Sequence, residues 1–199
     1  ILRYLEAQYE ATLLEESKVK RNPKSPDYQT HACLYFLDPQ LTHACGGLTP
    51  IDHLVLKELC PRVNIIPVIA KVDLLTVRQL KSLRASILKD IEEHDLKIFN
   101  FPDDPEEEDE EMAAINAELR SFAPFAVVNS EEENGHVGLI IENERILCRQ
   151  YLWGLVEVQN EDHCDFLRLK QAVFGTHMNE LRVTTREIFY EAWRTEKLL

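Results

Sequence analysis

Glycine, metal-ligand spacings, basic residues and long apolar runs are all scarce in this chain of 199 residues, and each shortage excludes something. The 22 Lys and Arg residues are outnumbered by 35 Asp and Glu, for a formal net charge of −13 at pH 7. That balance argues against nucleic-acid binding, which needs a basic face to neutralise phosphates. No apolar stretch approaches the roughly 20 residues of a membrane-spanning helix, and no signal peptide opens the chain. The six glycines, at 46, 47, 135, 138, 154 and 175, fit no GxxxxGK[ST] phosphate cradle. There is no DxxG element either. The five cysteines are odd in number and form no CxxC pair. Cys33 and Cys60 lie in apolar patterns and read as reduced core thiols, which places the chain in the cytosol. The seven histidines are scattered without metal-ligand spacing, and His163-Cys164-Asp165 reads as the chemistry of a helix start, not a metal site.

What is present is a globular composition, with 45% hydrophobic and 29% charged residues, enough for one domain or a large part of one. The chain opens without Met inside a helical pattern (Ile1, Leu2, Leu5, Tyr9, Leu13), so it reads as a piece whose upstream part is missing. A helix over about Ile1 to Glu16 gives way to a basic loop, Lys18 to Lys24. His31 to Leu37 is a continuous apolar strand, as parallel sheets covered on both faces require. After a loop containing Gly46 and Gly47, Thr49-Pro-Ile-Asp52 predicts a capped helix with Ile51, Leu54, Val55 and Leu59 inward. A strand from Asn64 follows, in which Pro67 is awkward for a central position. Thr76-Val-Arg-Gln79 caps the next helix, with Val77, Leu80, Leu83, Ile87 and Ile91 inward. The acidic run Asp103–Glu111 holds eight carboxylates and leads into a helix with Met112, Ile115, Leu119 and Phe122 at helical spacing. Phe125 to Val128 is another buried strand. Alternating strands and helices predict a mostly parallel α/β sheet over residues 1–130. Beyond it, Val137–Ile141, Ile146–Tyr151 and Leu155–Val158 predict antiparallel hairpins. Two closing helices follow, Asp165 to about Leu181 and Thr184 to about Lys197.

The stretch that carries chemistry is Asn64-Ile-Ile-Pro-Val-Ile-Ala-Lys-Val-Asp-Leu-Leu-Thr76. A buried strand ends in Lys71-Val72-Asp73 and a helix start follows at once, which places both charged residues at the ligand-binding edge of an open α/β sheet. The stretch resembles the [NT]KxD guanine-recognition element of a P-loop GTPase, with Ala70 in the first position. Alternate strand residues share a face, so Lys71 and Asp73 are expected to flank one planar base. An ionised Asp73 accepts through two oxygens and would take guanine N1–H and N2–H together; adenine offers no such donor pair. Lys71 would lay its stem along the base, its ammonium solvated or on the phosphate loop. The plainer reading is a strand end whose two charged residues turn into solvent.

The late hairpin sharpens this. Arg149-Gln-Tyr-Leu-Trp-Gly-Leu-Val-Glu-Val-Gln-Asn160 resembles the septin element GRxYPWGxxEVEN. His163-Cys-Asp-Phe166, Thr176-His-Met178 and Phe189-Tyr-Glu191 resemble the septin segments that follow it, and Ala70-Lys-Val-Asp73 resembles the septin AKAD variant of the guanine motif. The chain is identified as a member of the septin family. That resemblance implies a P-loop GTPase-like fold with a septin hairpin and closing helices over 131–199. It also implies guanine-nucleotide (GTP or GDP) binding by Lys71, Asp73, Asn129 and Arg149. Asn129 matches a glycine whose N–H meets guanine O6, and Arg149 matches an arginine that packs on the base. Trp153 matches a packing residue at a subunit interface. The family's phosphate-reaching histidine falls at Gly46 here. His43, three residues earlier, is the candidate substitute, and a plain surface histidine is the simpler reading. Leu152 replaces the usual Pro.

The resemblance further implies hetero-oligomers and filaments with other septin subunits, a cytoplasmic, cytoskeletal place at the cortex or septum, and roles in cytokinesis and scaffolding. Mg²⁺ and any lipid contact through a basic region would come only through the missing N-terminal part. No catalytic residue is assigned, and the chain by itself is not expected to hydrolyse GTP. The acidic run reads either as an interface segment or as a solvated loop. Two alternatives stay open: a structural subunit that has lost nucleotide, and a turnover switch GTPase.

Overall fold

Three parallel strands carry the architecture: β1 (Ala32–Leu37), β2 (Asn64–Ile69) and β3 (Phe125–Ala126), in that spatial order. Around them run α1 (Leu2–Glu16), α2 (Pro39–Cys45), α3 (Pro50–Leu59), α4 (Val77–Glu93) and α5 (Glu110–Phe122). Short antiparallel pairs follow: β4 (Glu132–Glu133) with β5 (His136–Val137), β6 (Leu139–Ile141) with β7 (Glu144–Ile146), and β8 (Cys148–Tyr151) with β9 (Gly154–Glu157). The chain closes with α6 (Phe166–Gln171), α7 (Met178–Thr184) and α8 (Glu191–Leu198). This computed structural model describes residues 1–20, 27–102, 110–130, 132–133, 136–137, 139–141 and 144–199, with side chains left undescribed from 131 to 145. Most of the acidic run and the second half of the basic loop therefore lie outside the described residues.

All six residues of β2 are buried, because helices cover both faces of the sheet. Ile65 and Ile69 point into one cluster with Leu56, Leu59, Leu83 and Ile87 of α3 and α4. Ile66 and Val68 point into the other with Leu119 and Leu169 of α5 and α6. The alternation follows from the two-residue strand period. Pro67 is tolerated in a central strand because of where its missing N–H would point. Ile65, Pro67 and Ile69 direct their backbone groups away from β1, where Ile65 O accepts from Phe99 N and Ile69 O from Val127 N. Pairing with β3 begins only at Val68, so no ladder bond is lost. Among the described residues, no strand pairs with the outer edge of β1.

Several expectations are corrected. The loop before Gly46 contains α2, with Asp38 as N-cap accepting from Gln40 N, Pro39 at the first position and Gly46 in the left-handed conformation behind it. Gly47 is needed for close approach: a Cβ there would collide with the Asp90 carboxylate, which accepts from Leu48 N at 2.7 Å. On α3 the capping box forms, yet Ile51 and Leu54 are exposed and Leu56 is fully buried. Apolar residues nearly encircle this helix, so periodicity left its face open. Asp52 decides the face by accepting from the Tyr35 hydroxyl at 2.7 Å. Val77 on α4 is likewise exposed, while Leu83, Ile87 and Ile91 are buried. β3 ends at Ala126, although Val127 and Val128 stay buried.

The closing helices break at His177, not after Leu181. Thr184 is no cap; it sits inside a helical run that widens to π-type turns over Thr185–Tyr190. Just before that widening, the Leu181 carbonyl accepts from the Thr185 hydroxyl at 2.7 Å and the buried Asn64 amide at 3.0 Å, a side-chain intrusion of the kind that distorts helices. Asn64 also donates to His31 O at 2.7 Å, tying the start of the sheet to α7.

His177 is buried, its Nε2 2.8 Å from Asn116 Oδ1 and its Nδ1 2.7 Å from the Thr176 hydroxyl. An amide oxygen only accepts, so Nε2 carries the proton of the neutral ring. Burial holds the imidazole pKa below its ordinary value of 6.5, against a backbone contact with Ala172. The unfolded chain therefore takes up this proton first. Stability from neutral His177 is complete above pH ~6.5 and is lost as pH falls through the lower folded value. A His177→Gln variant should show a shallower fall in urea midpoint between pH 7 and 5 than the parent. Equal slopes in the two proteins would show that His177 does not set this dependence.

Candidate functional site at the sheet edge

The strand that was expected to deliver Lys71 and Asp73 side by side stops at Ile69. Lys71 turns into the left-handed region (φ 50, ψ 47), and Asp73 sits in a single 3₁₀ turn, Val72–Leu74. The shared strand face therefore does not exist; a reversal of the chain sets the two side chains apart. Lys71 and Asp95 are the two described non-glycine residues with positive φ. For Lys71 this backbone costs about 1–2 kcal/mol and is held in place by its neighbours. Val72 N donates to Val127 O at 3.1 Å, which ties the turn to the chain leaving β3.

Lys71 directs its ammonium to Asp38 Oδ2 at 3.0 Å, at the carboxyl end of β1. That hydrogen bond and the Gln40 N–H hold the Asp38 carboxyl below its usual range. Asp73 points the other way. Its side chain is 1% exposed, its Oδ2 accepts from the Tyr151 hydroxyl, and Arg149 Nη1 lies 3.7 Å from the same oxygen. Asp73 Oδ1 is buried with no hydrogen-bond partner among the described residues. Arg149 also leans over the Tyr151 ring at 5.9 Å, and Tyr151 stacks on Trp153 with centroids 4.9 Å apart and planes 6° apart.

The structure thus brings Asp73 and Arg149 together, turns Lys71 away from them onto Asp38, and places Trp153 one ring further out, 69% exposed. Asn129 is exposed two residues beyond Val127, on the same sheet edge. It does not carry the left-handed backbone that would suit a glycine there. His43 is exposed in the last turn of α2. Two participants were missed. Asp38 was legible as an N-cap before Pro39, and Tyr151 as the residue two along from Arg149 on one strand face. Two clefts of about 180 Å³ lie elsewhere, one beside Glu118 and Arg168, the other beside Arg62 and Trp193. Their charged groups pair with one another (Arg168 with Glu118 and Glu161, Arg62 with Glu196), so neither rivals the sheet edge chemically.

The chemistry of the edge fits a ligand with paired donors. A buried carboxylate oxygen without a partner costs free energy that a donor edge relieves, and an arginine beside it suits an aromatic ring. The sequence contains no GxxxxGK[ST] phosphate cradle beside this edge.

The fold is that of an α/β protein whose candidate site lies at the carboxyl ends of its parallel strands. The septin family model matches residues 1–199, and the chain belongs to the septin family. It is 41% identical over 201 residues to septin homolog spn3 of Schizosaccharomyces pombe and 38% identical over 198 residues to Septin-1 of Drosophila melanogaster. Human Septin-11 is 39% identical over 199 residues. All of this chain is covered in each case, against 51%, 52% and 43% of those proteins, so it spans about half their length. Cdc11 from Saccharomyces cerevisiae superposes with a TM-score of 0.63 at 32% identity, covering 98% of this chain and 73% of that one.

Proposed function

We propose that this chain is the base-binding part of a guanine-nucleotide-binding septin subunit, which assembles with other septin subunits into hetero-oligomers and filaments of the cytoskeleton. The observation that carries this reading is the buried Asp73 carboxylate, its Oδ1 unpartnered among the described residues, flanked by Arg149 at the edge of the sheet. Guanine N1–H and N2–H would meet the two oxygens, and the Arg149 guanidinium would lie against the ring. Asn129 would offer its backbone N–H toward guanine O6, and Trp153 would pack at a subunit interface. The proposed organisation is a sheet-and-helix core over 1–130 followed by the septin-specific hairpins and helices over 131–199. In this reading the nucleotide serves assembly more than turnover, in the cytoplasm at the cortex or septum. Mg²⁺ and the phosphates would be held by residues outside this chain.

A second reading, a subunit without nucleotide, draws on Tyr151, whose hydroxyl already partly satisfies Asp73. One experiment separates the two. Full-length protein, purified and denatured, should release GDP or GTP in near-stoichiometric amount. Release of adenine nucleotide, or of none, would sink the guanine assignment.

A further inference from the structure

We infer that Tyr151 is a positioning residue for base selection: it fixes the orientation of the Asp73 carboxylate so that both oxygens meet a two-donor edge at once. The inference rests on the guanine reading above and adds a residue to it. The geometry is asymmetric in an informative way. Both described groups that hold Asp73 act on Oδ2, Tyr151 through its O–H and Arg149 at 3.7 Å, while Oδ1 is buried without a donor among the described residues. A carboxylate offers about four lone-pair sites. The tyrosine uses one of them on Oδ2, which leaves a site on each oxygen for a pair of parallel donors.

Without the hydroxyl, the carboxylate is free to turn about its broad, two-fold terminal torsion. A ligand with two donors needs that torsion fixed, because both oxygens must face it together. A ligand with one donor does not, because a turned carboxylate still meets it with one oxygen or the other. Tyr151 therefore adds to the preference for guanine over a base lacking the exocyclic amino group. Its ring is held independently, stacked on Trp153 and under Arg149, so Tyr151→Phe removes the donor while retaining the ring.

The test compares GDP with inosine diphosphate, which keeps N1–H and lacks the 2-amino group, on full-length parent, Tyr151→Phe and Asp73→Asn proteins. Tyr151→Phe should weaken GDP about tenfold and inosine diphosphate by less than threefold, so that the ratio of their affinities narrows. An equal loss for both ligands, or no loss for either, would overturn the positioning role. The Asp73 assignment would then still stand on its own if Asp73→Asn shifts preference toward xanthosine diphosphate. A parent protein that binds GDP and inosine diphosphate equally would overturn the guanine reading itself, and the inference with it. Tryptophan fluorescence of the unliganded variant, with the Trp153 contribution isolated by difference against the same protein carrying Trp153→Phe, supplies a readout independent of binding. An unchanged spectrum with a narrowed ratio supports the inference, and a shifted spectrum with an unchanged ratio assigns Tyr151 to hairpin packing and overturns it.

Discussion

Asp73→Asn is expected to weaken GDP binding by the full-length protein by roughly 10²–10⁴-fold and to turn its preference toward xanthosine diphosphate. Hydrogen bonds to a charged group are worth about 1.5–3 kcal/mol each, and two are at stake. The surroundings dictate how the new amide sits. The Tyr151 O–H and Arg149 both approach the Oδ2 position as donors, so the amide oxygen is held there and the NH₂ takes the place of Oδ1. That NH₂ opposes a guanine N–H and suits the C2 carbonyl of xanthine. Competition of the two diphosphates against a fluorescent guanine nucleotide measures the change. If GDP affinity is the same in parent and variant, Asp73 does not read the base.

The second large effect is on stability. The Asp165 side-chain Oδ2 accepts from Ala126 N at 2.8 Å and the Asp165 N–H donates to Ala126 O at 2.8 Å, so the start of α6 is tied to β3 by one side-chain and one backbone bond. Its Oδ2 also pairs with Arg84 of α4, whose Nε donates to Pro124 O at 3.1 Å. Burial pushes the Asp165 carboxyl above the usual range, with the Ala126 N–H and the Arg84 guanidinium pulling against it. Asp165→Ala strands a backbone donor and leaves a guanidinium without its partner. Breaking such a pair costs about 3–5 kcal/mol. The lower end applies here, because the Arg84 side chain keeps 20% of its surface exposed. Urea denaturation should show that loss, and Arg84→Met in the same background should restore part of it. A single variant within 1 kcal/mol of the parent, on the scale expected for an ordinary surface substitution, would remove Asp165 from the framework.

How much of this was legible depended on whether the signal was local. β2 announced itself through an unbroken apolar run, and α4 through Thr76 and Gln79, whose reciprocal bonds are made within four residues. Lys71 and Asp73, proposed here to read the base, stood out by motif, yet their geometry did not. A strand period predicts a shared face, and only the chain tied behind Val72 reveals the left-handed reversal at Lys71. The inward face of α3 was decided by Tyr35 on another element, and the widened turns after Leu181 by Asn64, 117 residues away. Long-range partners override local pattern wherever that pattern leaves two faces equally apolar.

The packing of the first helix against the last sets an order of events in time. Tyr9 of α1 packs at a tilt against Tyr190 and Trp193, and the Tyr190 hydroxyl donates to Glu16, 174 residues back along the chain. Lys197 reaches Glu10 at 2.8 Å in the same seam. A ribosome making this domain extends it by about 5–20 residues per second, so Tyr9 waits many seconds for the aromatic surface that buries it. Until then Leu5 can pack on Leu56 and Leu59 of α3, while the Tyr9 ring lacks its aromatic partners and has the Arg62 carbonyl for its hydroxyl. The seam cannot close until Trp193 and Lys197 have been made.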